Sequence, residues 1–296
     1  MPERPILVTG GTGQLAAALA AADNNLHRVG RPTFDFDRPD TIEAAFRASN
    51  PRLLINAAAY TAVDAAENDA EAALRANRDG PAILARLCAE TGIPLIHVST
   101  DYVFDGAKPA PYVETDAVAP QGVYGASKLA GEQAVLASGA RAIILRTAWV
   151  YAATGKNFVR TMLTLGKTRD KLAVVGDQHG CPTTAQDLAD AILAISALID
   201  RSGWQDSFQG IFHAAGTGAT TWHGLAVATF QEAARHGANQ PEVASIATSE
   251  WPTPAKRPAN SRLDCSRLRD IFGIALPPWR QSLARTVDSI YASAPP

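Results

Sequence analysis

The sequence predicts an α/β fold, a doubly wound parallel sheet with a smaller α/β lobe beside it. Short apolar runs alternate with amphipathic stretches through the first half of the chain. A glycine-rich turn, TGGTGQLA, follows the first of these runs directly. After Trp149 the alternation becomes less regular but keeps both strand-like and helix-like segments. Alternation of this kind buries a parallel sheet under helices on both faces. Right-handed crossovers then make the sheet doubly wound.

Pro5–Thr9 reads as a buried strand, and the alanine-rich Gln14–Ala22 as the helix that follows. Leu26–Gly30 is the second strand and Thr41–Ser49 a short helix. Leu53–Asn56 is the third strand, and one long helical region is expected from about Glu67 to Glu90. Leu95–Ser99 and Ala142–Arg146 supply the fourth and fifth strands, with a helix over Val123–Ala137 between them. Beyond Trp149, strands are expected at Leu172–Val175 and Ile211–Ala214. Helices are expected at Asn157–Leu165, Ala185–Ile199 and Thr221–His236, the last with a Thr-Thr start. Trp251–Pro258 is a proline-rich loop, and two short helices follow it.

A chain of 296 residues is long enough for one large domain or two smaller ones. Its 47% hydrophobic and 19% charged content is ordinary for a soluble globular enzyme. The formal net charge of −2 leaves no basic excess for nucleic acid, and no basic amphipathic stretch points to a membrane surface. No apolar run reaches the roughly 18 residues that a membrane span needs. Ile6–Val8 leads straight into the glycine turn, so no signal peptide is expected ahead of it. Cys88, Cys181 and Cys265 are far apart and odd in number, which fits reduced thiols and a cytoplasmic location.

Gly10, Gly13 and Ala16 form G-x-x-G-x-x-A after a strand and at the opening of a helix. Gly10 allows a tight turn, Gly13 lets backbone approach a pyrophosphate, and Ala16 lets the helix pack closely on the sheet. The helix N-terminus offers free N–H groups to phosphates. A dinucleotide is therefore expected, on a Rossmann-like region spanning residues 1–150. Residues 151–296 are expected to form mainly the substrate lobe, with segments returning to the first region. Val29-Gly30-Arg31 ends the second strand with a cation, which favours the 2′-phosphate of NADPH over NADH. NADH stays open, because Arg31 equally suits a solvated loop. Asp35 lies close enough to contact the adenosine end, and Asn56–Ala59 ends the third strand with small residues.

Ser99-Thr100-Asp101 closes the fourth strand, where ligands gather in such sheets. Tyr124 and Lys128 share one helix face at i and i+4. A free tyrosine titrates near about 10. An ammonium about 4 Å away contributes about 4 kcal/mol at an effective dielectric near 20. That is enough to bring the phenol toward neutral pH and make it a general acid and base. Thr100 is placed to hold the phenol or a substrate oxygen.

These residues occur together with INAAAYTAVDAAE, STDYVFDG, VYGASKLAGE, RTAWVYA, NFVRTML, GDQHGCPT, TTWHGLA and PTPAKRPANSRLD. On them the chain resembles the extended short-chain dehydrogenase/reductases, and within these the dTDP-4-dehydrorhamnose reductase family, over nearly its whole length. The resemblance implies Thr100, Tyr124 and Lys128 as the catalytic set. It implies cofactor contacts at Gly13, Gln14, Leu15, Gly30, Arg31, Asp35, Phe36, Ala59, Tyr60 and Thr61. Thr100, Asp101 and Trp149 would contact the dTDP-sugar substrate. The implied activity is NADPH-dependent reduction of the C4 keto group of dTDP-4-dehydro-β-L-rhamnose, the last step of dTDP-L-rhamnose synthesis.

Two departures bear on this. The family usually has glycine where this chain has Ala16. Some members carry a metal-linked glutamate early in the first helix, where this chain has Ala16-Ala17-Ala18, so no metal is expected. Related dehydratases follow the strand-end threonine with Asp-Glu, but Asp101 precedes Tyr102, which favours simple reduction. Related epimerase-reductases use Cys and His. His179 and Cys181 lie in a Gly/Pro loop that suits structure or lobe contacts better, and they lack further ligands at zinc spacing. Lys256, Arg257 and Asn260 fit a diphosphate or sugar contact and an exposed basic loop equally well. Other readings are a reductase of another 4-keto sugar nucleotide and a non-catalytic regulatory subunit of methionine adenosyltransferase. A homodimer is neither required nor opposed by the sequence.

Overall fold

The computed structural model describes residues 4–293. The first half lays out β1 (Ile6–Thr9), α1 (Gln14–Ala22), β2 (Leu26–Val29), α2 (Pro39–Ser49) and β3 (Leu53–Asn56). Then come α3 (Val63–Ala66), α4 (Ala70–Leu74), α5 (Gly80–Thr91), β4 (Leu95–Thr100), α6 (Val123–Ala137) and β5 (Ala142–Thr147). The second half begins with β6 (Val150–Tyr151), α7 (Phe158–Gly166), β7 (Lys171–Val175), β8 (His179–Gly180), β9 (Thr183–Thr184) and α8 (Ala185–Ser202). It continues with β10 (Gly210–His213), β11 (Thr220–Thr221), α9 (Trp222–Ala234), β12 (Glu242–Ile246), α10 (Ser266–Phe272) and α11 (Trp279–Ala292).

Six parallel strands form the central sheet in the order β10-β5-β4-β3-β1-β2. Successive side chains of a strand point to opposite faces. Ile6 and Val8 accordingly pack with α1 and α8, while Leu7 packs on the other face with α2 and α5. Both faces are apolar because both are covered by helices, the doubly wound arrangement expected from the sequence. The order in which strands are added reverses between β1 and β3, so the connections that leave these two strand ends run to opposite sides and leave a crevice between them.

The second half sends β10 and α8 back to the sheet and builds a lobe from α7, α9, α11 and the parallel pair β7–β12. β12 was not expected from the sequence, because none of its five residues is fully buried and adjacent Ala244 and Ser245 are both exposed, which breaks the alternation of a strand. The final helix is a full 14 residues, not a short one. The helix expected over 67–90 is also interrupted. A π-helical turn, Arg75–Asp79, separates α4 from α5. Pro81 lies just beyond it and lacks the N–H that would bond to the carbonyl of Asn77, so the regular α ladder cannot run through. In α9 the Thr-Thr start works as expected: Thr221 Oγ1 accepts the Gly224 N–H at 3.0 Å.

Candidate active site

The C-terminal ends of β1 to β5 open into one cleft of about 1190 Å³. All residues singled out from the sequence as catalytic, cofactor-binding or substrate-binding line it.

At one end, Gly10 carries a φ of +112° and turns the chain out of β1. Gly30, at the end of β2, comes so close to the turn that an added Cβ would lie 2.5 Å from the Gly11 Cα. Gly13 caps α1 without any side-chain hydrogen bond, so the first N–H groups of the helix face the cleft unclaimed by a capping side chain. Glycine backbone beside an uncapped helix start is the donor set that a pyrophosphate requires. Below the turn, Thr9 Oγ1 donates to Asn56 Oδ1 at 2.6 Å, and the Asn56 amide meets His97 Nδ1 at 2.9 Å. Burial holds the His97 pKa well below the usual range, so this layer is neutral.

At the other end, Thr100 closes β4 and α6 presents Tyr124 and Lys128. Lys128 is buried, and its Nζ donates to the Val98 carbonyl at 2.6 Å. Burial lowers its pKa to about 8, with Glu132 opposing. Tyr124 is half-buried, and its ring meets that of Tyr102 edge to face at 5.5 Å. Loss of solvent pushes its phenol up to about 12. A hydrogen bond with Thr100 pulls it back in part, and Asp101 pushes it further up. The expectation that Lys128 would bring the phenol toward neutrality is therefore corrected. The ammonium is engaged by a backbone carbonyl, and desolvation outweighs any help to the phenolate.

Thr100 Oγ1 donates to Asp101 Oδ1 at 3.0 Å. Burial raises the Asp101 pKa to about 6, opposed by hydrogen bonds from Ser261 and Thr100. Behind Lys128, Glu132 accepts two bonds from Arg146, at 2.9 and 2.6 Å, and one from Ser99 at 2.5 Å. This buried pair ties α6 to β4 and β5.

Trp149 forms the outer wall. Its φ of +49° lies in the left-handed region that a bulky side chain avoids, a strain of about 1–3 kcal/mol. Stacking on Trp222 at 3.6 Å, a bond from Nε1 to Ser261 Oγ at 3.2 Å and contact with Gly180 hold it there.

The family model described as the RmlD substrate binding domain matches residues 4–292. A dTDP-4-dehydrorhamnose reductase of Sinorhizobium fredii (strain NBRC 101917 / NGR234) is 46% identical over 285 residues, covering 95% of this chain and 96% of the relative. The chain belongs to the dTDP-4-dehydrorhamnose reductase family. Two crystal structures of that family superpose closely. The Bacillus anthracis reductase, in complex with NADP, gives a TM-score of 0.88 at 33% identity, covering 96% of this chain and 98% of that one. The Clostridium acetobutylicum reductase gives 0.87 at 36% identity with the same coverage of each chain.

Several side chains of this family member carry no mark in the sequence. Asn77, on the π turn, clamps both backbone groups of Tyr60, accepting its N–H at 2.9 Å and donating to its carbonyl at 3.1 Å. It also donates to Ser127 Oγ at 2.9 Å, and Ser127 in turn bonds to the Tyr124 carbonyl. One asparagine thus joins the third strand's loop to the helix that carries Tyr124. The only signal was a polar run, Arg-Ala-Asn-Arg-Asp, inside an alanine-rich stretch. Asn157 Nδ2 reaches across from the lobe to Gln14 Oε1 at 2.9 Å. Lys256, Arg257 and Asn260 do not line the cleft. Lys256 bonds to Gln121, Arg257 pairs with Asp64 at 2.8 Å, and Asn260 holds the carbonyls of Lys108 and Ala110.

Proposed function

We propose that the chain reduces the C4 keto group of dTDP-4-dehydro-β-L-rhamnose to give dTDP-L-rhamnose, with NADPH as the favoured reductant and NADH as the alternative to it. The observation that carries this is the single cleft joining the glycine turn to Thr100, Tyr124 and Lys128. Bound NADPH supplies the hydride to C4. The carbonyl oxygen then needs one proton, and Tyr124 Oη donates it.

A phenol held near 12 is fully protonated at neutral pH, which is the form a reduction consumes. Thr100 holds that phenol and aligns the oxygen. Lys128 spends one of its three N–H donors on Val98 and has two left for the ribose and for charge growing on the phenolate. Asp101 and Trp149 contact the sugar nucleotide, while Gly13 to Leu15, Gly30, Arg31, Asp35, Phe36 and Ala59 to Thr61 hold the dinucleotide. Tyr102 stands where an eliminating enzyme would need a second acid, so the chemistry ends at the alcohol. We further propose that residues 151–296 supply mainly the sugar-nucleotide side.

The test is loss of reduced nicotinamide absorbance across a panel of dTDP- and UDP-linked 4-keto sugars, repeated with NADH. Fastest turnover with dTDP-4-dehydrorhamnose is expected. Absence of oxidation with every member of the panel overturns the reading.

A further inference from the structure

The ribose end of the cleft carries a chain of charges that proton transfer does not use. Arg31 donates from Nε to Asp35 Oδ1 at 3.0 Å and from Nη2 to Asp37 Oδ2 at 2.6 Å. The other oxygen of Asp37 accepts from Arg75 Nε at 3.0 Å. A single carboxylate therefore bridges two guanidiniums, and all four residues line the cleft near the glycine turn. A guanidinium fork matches the oxygens of a phosphate. Here carboxylates already fill both forks. Asp69 and Glu71 also face Arg75, and Arg38 faces Asp35 while pairing with Asp40 at 3.4 Å. The region is no ready-made anion site, although a cation stands at the end of β2.

The two aspartates are not equivalent. Asp35 is built into its turn. Its carboxylate accepts the Asp37 N–H at 3.1 Å, and its own N–H bonds to Thr41 Oγ1 at 2.9 Å. The Asp37 side chain is 47% exposed and engages Arg31 and Arg75, both exposed as well. Ion pairs this open are weak and exchange readily.

We propose that Asp37 is a counter-ion gate that sets the choice between 2′-phosphorylated and 2′-hydroxyl dinucleotides. A 2′-phosphate binds by displacing the Asp37 carboxylate from Arg31 and Arg75, which then share the phosphate. A ribose with a free 2′-hydroxyl leaves Arg31, Asp37 and Arg75 joined. Competition from Asp37 narrows the preference that Arg31 alone would give. Arg75 is a phosphate-binding residue that the end of β2 does not reveal. This inference rests on the dinucleotide reading above and refines it.

The test is calorimetric titration of the purified chain with NADP⁺ and NAD⁺, with 2′,5′-ADP and 5′-AMP as probes of the adenosine end alone. Asp37→Asn is expected to raise the ratio of NADP⁺ to NAD⁺ affinity by about tenfold, since it removes a carboxylate that repels the phosphate. Arg75→Gln is expected to lower the same ratio by about tenfold or somewhat less. Both side chains are exposed, and retained 5′-AMP binding reports an intact site in each variant. A ratio within about twofold of the unaltered chain in Asp37→Asn overturns the gate. Failure of the unaltered chain to bind either dinucleotide overturns the cofactor reading instead.

Discussion

At the nucleotide end of the cleft, charges are exposed and paired with one another, as in Arg31 with Asp37 and Asp37 with Arg75. At the end formed by Thr100, Tyr124 and Lys128 they are buried, as in Lys128, Asp101 and the Glu132–Arg146 pair. At the first end the side chains are open to solvent, so their pairing costs little and can rearrange. The second holds ionisable groups away from water before any substrate arrives. One end is shaped by glycine backbone, whereas the other is built from desolvated side chains that the fold must stabilise elsewhere.

The most severe break in this contrast is Tyr124→Phe. Turnover should fall by about 10²–10⁴-fold, the usual worth of a positioned proton donor. Titration should show NADP⁺ binding nearly intact, because the glycine turn is untouched. Next is Glu132→Gln, which leaves Arg146 charged and uncompensated in the interior. Such losses cost about 3–5 kcal/mol, to be read from denaturant unfolding.

Asp101→Asn acts in the opposite direction. Its carboxyl rises from 3.8 to about 6 on folding, so the native state binds the extra proton. That stabilisation is complete below 3.8 and is lost as pH rises through 6. At neutral pH the buried charge is a burden, and its removal should add up to about 3 kcal/mol to stability. Turnover should fall in the same variant. An unchanged pH dependence of unfolding would assign the burden elsewhere.

Lys128 sharpens the comparison from the alkaline side. Its pKa falls from 10.5 to about 8, so the native state sheds its proton first. Stability should therefore rise as pH climbs from about 8 toward 10.5, while turnover declines above about 8 as the ammonium is lost. Last, at the nucleotide end, Gln14→Ala removes one bond to Asn157 and should cost about 1 kcal/mol or less. A larger loss would mean that the lobe contact matters more to the turn than its exposure suggests.

What could be read in advance was local. The Gln14–Ala22 helix has the bounds expected of it, because a glycine turn opens it and Asp23-Asn24-Asn25 follows the alanine run and closes it. Tyr124 and Lys128 were legible because a helix face follows from spacing alone. The electrostatics were not. The Val98 carbonyl that engages Lys128 lies 30 residues away, and burial is a property of the packed whole. The Asp37–Arg75 pair spans 38 residues and depends on where the π turn places Arg75. Trp149 was chosen by resemblance, yet its left-handed backbone and its partner Trp222 have no local signature.

Trp149 also limits which sequences this fold accepts. A Cβ added at Gly180 would sit 2.3 Å from the indole Cε2, so no larger residue fits there while the tryptophan keeps its pose. A smaller ring at 149 would remove the clash but also the stacking that holds the backbone at positive φ. The two positions, 31 residues apart, are therefore coupled in one direction: Gly180 can be enlarged only where residue 149 has already become smaller. Drift at Gly180, in the wall beside Trp149, must therefore follow a change in the tryptophan and cannot precede it.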